Sequence, residues 1–142
     1  MERKYFEISA DDKVTVTTAI KDCLTKRKDL LFAYIHGSFV MANRFRDIDV
    51  AVYLNKTSFL PLEIELELEA ELGELIRSYP VEVRTLNSAP VSFRYSVIKQ
   101  GKPVVVADDD ARAEFEVAAL SNYFDFLPFH KMYLKESLGL GI

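Results

Sequence analysis

Two short apolar segments on either side of a Gly-Ser pair constrain the fold of this 142-residue chain more than any other feature. Residues 30–35 (LLFAYI) and 47–54 (DIDVAVYL) are rich in apolar and β-branched residues, which is typical of buried strands. Residues 81–86 (VEVRTL) and 102–107 (KPVVVA) have the same character. Together these four segments predict a small sheet.

Helices are predicted between the strands and at the C-terminus, over residues 11–27, a short turn at 40–41, and 61–79, 93–98 and 108–138. Asp11 or Asp12 is a suitable N-cap for the first. In 61–79 Leu and Glu alternate as in a strand. Both are good helix formers, however, and Pro61 suits a first helical position, so a helix is predicted. Pro128 is expected to kink or split the last helix.

No repeat, low-complexity tract or linker divides the sequence, so residues 1–142 are predicted to form a single domain. Its core is expected to span residues 1–107, followed by the C-terminal helix. The order of elements predicts an α+β fold (an α/β-like sandwich), with a small mixed sheet packed by helices and a helical tail.

The composition excludes several classes of protein. Asp and Glu outnumber Lys and Arg by 22 to 18, which argues against non-specific nucleic-acid binding, since that depends on phosphate neutralisation. The single cysteine, Cys23, excludes an internal disulfide and a Cys-based zinc site. No signal peptide is visible, and no apolar run reaches the ~18 residues of a membrane span. We therefore expect a cytoplasmic protein without membrane contact.

Two aspartates open the strand at 47–54. Because strand side chains alternate, Asp47 and Asp49 point to the same face, with Cα atoms about 6.5 to 7 Å apart. Such a pair suits Mg²⁺, which takes oxygen ligands and shares its shell with substrate phosphates. Gly37 allows close backbone approach to a ligand, and Ser38 offers a hydroxyl and an amide at a helix start, where phosphate oxygens bind well.

Glu82, in the next predicted strand, supplies a third acid and shares its face with Arg84. Three acids on adjacent strands beside a phosphate-binding turn describe a two-metal site for in-line displacement at phosphorus. This prediction depends on Glu82 lying on the same side of the sheet as Asp47 and Asp49.

The order Gly-Ser, short loop, Asp-x-Asp and a later strand-borne acid resembles the signature of the polymerase-β nucleotidyltransferase superfamily. The resemblance is closer to its minimal nucleotidyltransferase (MNT) family, often encoded beside a HEPN-domain protein in prokaryotic toxin–antitoxin modules. It covers most of the chain and is carried by three segments: HGSFVMANRFRDIDVAVYL, VEVRTLNSAPVSFRYSVIKQGKPVVV and ARAEFEVAALSNYFDF.

The resemblance implies a polymerase-β-type fold and a role for each motif residue. Gly37 and Ser38 would contact a nucleoside triphosphate, Asp47 and Asp49 would ligate two Mg²⁺ ions, and Glu82 would be the third carboxylate that helps activate an acceptor hydroxyl.

The chain departs from the family pattern in four ways. The loop from Ser38 to Asp47 is eight residues, which is short for the family, and Ala42 or Asn43 stands where a glycine is common. Arg46 stands where a small residue is usual, and Glu82 is an Asp in many relatives. These departures bear on turnover and triphosphate geometry more than on the fold.

Several residues near the motif carry two interpretations. Arg44 and Arg46 either clamp phosphates, Arg46 being our candidate for nucleotide binding, or belong to a solvated loop. Arg84 either pairs with Glu82 or faces solvent, and solvent is favoured. His36 either contacts a ligand or is a strand-end histidine with its hydrogen bonds satisfied, which is favoured.

Farther along the chain, Arg94 and Tyr95 are expected to pack structurally, and His130 has no metal-ligand partners in the sequence. The Glu-rich face of 61–79 is expected to be solvated. The tail carries more apolar residues than one narrow stripe can bury, which predicts a protein interface: Phe115, Tyr123, Phe124, Phe126, Phe129, Met132 and Tyr133.

Two hypotheses follow. The first is a nucleotidyltransferase that moves AMP from ATP to a hydroxyl; the resemblance points to a tyrosine on a HEPN-domain toxin, so that the chain acts as an antitoxin. A small-molecule alcohol is the alternative acceptor. The second is a non-catalytic antitoxin that neutralises its partner by contact, its nucleotide site idle or used for sensing. Self-association is compatible with both.

Overall fold

The computed structural model describes residues 4–55 and 60–138, with side chains described as far as residue 127. The tail candidates Phe129, His130, Met132 and Tyr133 therefore lie outside the described side chains. In chain order the elements are β1 (Phe6–Glu7), α1 (Ala10–Thr25), β2 (Leu30–His36), α2 (Ser38–Met41), β3 (Arg44–Phe45), β4 (Ile48–Leu54), α3 (Pro61–Leu75), β5 (Val81–Thr85), α4 (Val91–Gln100), β6 (Lys102–Val106) and α5 (Asp109–Leu138).

A mixed sheet in the order β5-β4-β2-β6 forms the centre of the fold. Strand β2 is antiparallel to β4 and β6, whereas β4 and β5 are parallel. Parallel pairing requires a crossover, and α3 supplies it. The C-terminal end of β2 and the N-terminal ends of β4 and β5 consequently meet at one end of the sheet.

Helices cover both faces of this sheet. On one face Val50 packs with Leu24 of α1 and Leu72 of α3 in a single buried cluster. On the other face Ala51 packs with Val97 of α4 and Phe115 of α5. Because both faces are covered, β4 is apolar along nearly its whole length, as its sequence indicated. The α+β sandwich predicted from the sequence is confirmed.

Acidic side chains of α3 hold the outer edge of β5. Glu69 Oε1 accepts the Val83 amide at 2.9 Å, and Glu65 Oε2 accepts the Thr85 amide at 2.9 Å. Glu65 also accepts the Thr85 hydroxyl at 3.3 Å. The expectation that the Glu-rich face is only solvated is thus wrong at these two residues, because an edge strand leaves amides that need acceptors.

A small two-stranded ribbon was not predicted from the sequence. Strands β1 and β3 pair antiparallel, with Phe6 opposite Phe45. Phe45 is fully buried, and its ring lies 5.1 Å from that of Tyr79. Each strand has only two residues, too few for an alternating pattern to be visible in the sequence.

Most of the remaining differences between the predicted and the observed elements lie at helix ends. The N-cap of α1 is Ser9, which accepts the Asp12 amide, and not Asp11 or Asp12 as expected. Helix α3 ends at Leu75, four residues before the predicted end at 79. Helix α5 is continuous through Pro128, so the predicted split is wrong. A proline removes one backbone hydrogen bond of a helix, and a long helix can continue past that loss. A kink at Pro128 stays a prediction.

Candidate active site

The three predicted acids meet at the end of the sheet where β4 and β5 begin. Asp49 lies directly opposite Glu82 in the parallel β4–β5 register, and opposite His36 in the antiparallel β2–β4 register. Directly paired strand residues point to the same side. Asp47 lies two residues before Asp49, immediately ahead of β4. Glu82 is therefore on the same side of the sheet as Asp49, on the face covered by α4 and α5, and Asp47 lines one surface cavity together with Glu82.

The electrostatics show that the acids interact. Burial, followed by the charges of Glu82 and Asp47, raises the pKa of Asp49 to about 6, while the charges of Arg84 and Arg46 act in the opposite direction. A half-buried carboxylate beside two others is costly to ionise. A cation placed among them would remove that cost, and carboxylate oxygens are the donors that Mg²⁺ prefers.

The backbone conformation of Gly37 and its contact with Asp49 leave no room for a residue with a Cβ at this position. Its φ of 78° lies in the left-handed region, where it is the only described residue with positive φ. A Cβ at this position would overlap Oδ2 of Asp49. Glycine is thus needed both for the turn that ends β2 and for the space that the Asp49 carboxylate occupies.

Ser38 follows as the first residue of α2 and is exposed. The amides of Val40 and Met41 bond to the Gly37 carbonyl, both at 3.1 Å. The amides of Ser38 and Phe39 precede these and have no partner within the helix, as at any helix start. Gly37 and Ser38 thus lie next to the acids with donors available for an anion.

His36 was expected to have its hydrogen bonds satisfied, and that expectation is wrong for one nitrogen. Its Nε2 is buried and forms no hydrogen bond within the described part of the chain. The ring meets Phe93 edge-on, with centroids 5.5 Å apart. Burial lowers the pKa of His36, more than the opposing charge of Glu82 raises it.

The basic residues around the acids divide into two groups. Arg84 bonds to Glu82, with Nη2 to Oε1 at 3.1 Å, and its side chain is also 59% exposed, so it both pairs with Glu82 and faces solvent. Arg44 and Arg46 lie instead over the ring of Tyr5, at 4.5 and 5.6 Å from its centroid. Tyr5 belongs to the N-terminal segment that the sequence did not connect with the site. Only tertiary pairing of β1 with β3 brings it there.

The remaining candidates lie away from the acids. Arg94 donates to the Asn87 carbonyl and lies over Phe115, the packing role expected for it. Tyr95 stacks on Tyr123 of α5, with centroids 3.7 Å apart. Phe124 remains 57% exposed, as expected of a surface residue.

The described residues contain neither a preformed metal site nor a membrane-spanning helix. In residues 4–55 and 60–138 no three His, Cys, Asp or Glu side chains already surround one point as metal ligands would. Among the described helices, none has the length and apolar content needed to cross a membrane.

Comparison with known proteins defines the class. The polymerase beta nucleotidyltransferase family profile matches residues 18–110, which include every predicted site residue. The chain belongs to this family, whose domains generally use a divalent metal. No curated protein sequence matches the chain significantly.

Solved structures with the same fold are toxin–antitoxin complexes. The structure of a tri-AMPylated Shewanella oneidensis HEPN toxin with MNT antitoxin matches with a TM-score of 0.67 at 21% identity, covering 86% of this chain and 98% of the matched chain. The toxin–antitoxin MntA–HepT matches with a TM-score of 0.65 at 21% identity, covering 92% and 99%. A toxin–antitoxin structure with AMP-PNP matches with a TM-score of 0.67 at 23% identity, also covering 92% and 99%. The predicted fold is confirmed, and the structural neighbours are MNT antitoxin complexes.

Proposed function

We propose that this chain is a Mg²⁺-dependent antitoxin that transfers AMP from ATP to a tyrosine hydroxyl of a HEPN-domain toxin. The observation that carries the proposal is the β4–β5 register, which sets Glu82 beside Asp49. The structural neighbours support the choice of nucleotide and partner, because one contains AMP-PNP and another an AMPylated HEPN toxin.

The donor set fits the metal that the family implies. Asp47, Asp49 and Glu82 would hold Mg²⁺, two ions in our proposal, and the coupling that raises the pKa of Asp49 is the kind that a cation relieves. When bound, Mg²⁺ would neutralise phosphate charge and polarise the α-phosphoryl group.

The chain's own residues would then position two substrates. Gly37, Ser38 and Arg46 would bind the triphosphate, whose α-phosphorus faces the acids. The acceptor oxygen attacks that phosphorus, the bond to pyrophosphate breaks, and the acceptor proton passes to the Glu82 carboxylate. Catalysis would rest on positioning and charge neutralisation, as phosphoryl transfer generally does.

The experiment that tests this proposal is intact-mass measurement of the HEPN-domain partner after incubation with the protein, ATP and Mg²⁺. We expect the mass of the partner to increase by one or more AMP groups with the unchanged protein, and to stay the same with the Asp49→Asn variant. The exposed Asp22→Asn, on α1 away from the site, is the matched control and should modify the partner normally. An unmodified partner in every reaction would refute the proposal.

A second candidate function is neutralisation by contact alone, favoured by the exposed Phe124 and Phe126 on α5. The same Asp49→Asn variant separates the two. If it still binds the toxin but no longer neutralises it, chemistry is required. If neutralisation continues unchanged, contact suffices.

A further inference from the structure

A surface cavity beside the acids is lined by two acidic residues, Asp47 and Glu82 (the acidic wall), and two basic residues, Lys4 and Arg46 (the basic wall). It lies where β4 and β5 begin and next to the β1–β3 ribbon, and it is lined by Lys4, Phe6, Arg46, Asp47, Pro80 and Glu82. Two of the three acids of the candidate active site thus form part of its surface. The two cations come from segments that the sequence did not connect with each other.

These two cations are not neutralised by ion pairs. Among the ion pairs of the described residues, none includes Lys4 or Arg46. Both rest on aromatic rings: Lys4 Nζ lies 5.3 Å from the Phe6 centroid, and Arg46 lies over Tyr5. A cation–π contact orients the charged group and leaves N–H donors available at its edge. The basic wall is therefore held in place and open to an anion.

Among the described residues, neither acid of the acidic wall forms an ion pair with Lys4 or Arg46. Glu82 bonds instead to Arg84, two residues farther along β5. Arg46 acts on the acids through space, where its charge opposes the rise in the pKa of Asp49. The charges of Lys4 and Arg46 therefore remain for a ligand.

We propose that this cavity is the acceptor subsite, and that Lys4 selects an acceptor segment carrying negative charge beside the reacting hydroxyl. The inference rests on the proposed function, in which the triphosphate contacts Gly37, Ser38 and Arg46 and the acceptor approaches Glu82. A tyrosine whose hydroxyl faces Glu82 has its flanking residues in this cavity. The substrate class is an acidic peptide segment containing tyrosine.

Two short peptides test the inference without requiring the transfer reaction. One has tyrosine flanked by glutamates and the other has tyrosine flanked by glutamines, and each is titrated into ¹⁵N-labelled full chain while amide shifts are followed by NMR. We expect the acidic peptide to bind about three- to tenfold more tightly, the range for one or two solvent-exposed ion pairs. The shifts should centre on Phe6, Arg46 and Glu82.

Variants of Lys4 supply the decisive comparison. Lys4→Gln should reduce the preference for the acidic peptide, and Lys4→Glu should reverse it in favour of a peptide with arginine flanks. Lys28→Gln, at an exposed lysine outside the cavity, should change nothing. Because charge reversal predicts a gain for one peptide, a variant that merely unfolds cannot imitate the result.

The outcomes separate this inference from the proposed function. Equal affinity for both peptides, or shifts centred elsewhere, would overturn the acceptor subsite even if AMP transfer to the partner is observed. Selective binding that depends on Lys4, together with an unmodified partner, would retain an acidic-peptide site and refute the transferase.

Discussion

At the scale of single residues, the site depends on contacts that permit few substitutions. Asp49 is half-buried, lies against Gly37 and faces Glu82 across the strand pair. The identities of the acids and the glycine could be predicted from their order in the sequence. The unsatisfied Nε2 of His36 could not, because it depends on which elements pack around that side chain. The pairing of Arg84 with Glu82 was one of two interpretations, since both residues lie on one face of β5.

Gly37→Ala tests the tight contact with Asp49. We expect a loss of about 1 to 2 kcal/mol in the free energy of unfolding, because alanine is strained at positive φ and its Cβ displaces the Asp49 carboxylate. AMP transfer should be lost as well. Gly73→Ala is the matched control: the residue lies within α3, and a Cβ added there would meet no atom within 4 Å, so a gain of about 0.5 to 1 kcal/mol is expected. Urea unfolding of both variants measures these effects, and equal stability of the two would contradict the account.

The raised pKa of Asp49 predicts a pH dependence of stability in metal-free buffer. The folded state holds a proton on Asp49 up to about pH 6, whereas the unfolded chain releases it near 3.8. The contribution of Asp49 to the free energy of unfolding is therefore fully present below pH 3.8 and is lost as the pH rises through 6. Asparagine cannot ionise, so the Asp49→Asn variant does not lose this stability as the pH rises. At pH 7.5 it should therefore be more stable than the unchanged protein by about 1 kcal/mol, after discounting for partial exposure. The difference should vanish near pH 4, and a variant less stable at pH 7.5 would contradict the assignment.

At the scale of elements, the strands and most helices follow from local sequence, and their partners do not. The runs 30–35 and 47–54 are apolar enough to be recognised as strands. The parallel pairing of β4 with β5 depends on the crossover through α3, which local patterns do not specify. The β1–β3 ribbon was missed because its two-residue strands carry no visible pattern, and with it the position of Lys4 beside the acids.

The carboxylates of α3 should contribute to the placement of β5. Glu69→Ala leaves the Val83 amide without its acceptor, which should cost about 1 to 2 kcal/mol and speed hydrogen exchange at that amide. Glu71→Ala, exposed on the same helix, should stay within about 0.5 kcal/mol of the unchanged protein. Unchanged exchange at Val83 in the Glu69 variant would show that the hydrogen bond does not hold the strand.

At the scale of the whole molecule, the fold presents an end with three acids and a helical surface with exposed apolar residues. The acids lie at one end of the sheet, while α5 exposes Val117, Phe124 and Phe126. Composition and periodicity were sufficient to predict an α+β domain and an excess of apolar residues in the tail. Which of those residues pack inside was not predictable, since Phe115 is buried and Phe124 exposed on the same helix.

Phe124→Ser tests the exposed surface of α5 as a contact for the partner. Because the side chain is largely exposed, thermal stability should change little, whereas affinity for the HEPN-domain partner should fall about tenfold or more, as at interface aromatic residues. Leu62→Ser, equally exposed on α3, should leave that affinity unchanged. Calorimetric titration of the partner measures both, and equal affinities would place the interface elsewhere.

The central claim is that Glu82 acts together with Asp49 across the β4–β5 pair, and the rate of AMP incorporation into the HEPN-domain partner tests it most directly. The account predicts that Glu82→Gln slows incorporation by about 100-fold or more, the scale for removing a catalytic acid–base group, while Glu74→Gln on α3 has no effect. Incorporation by Glu82→Gln at the rate of the unchanged protein would contradict it.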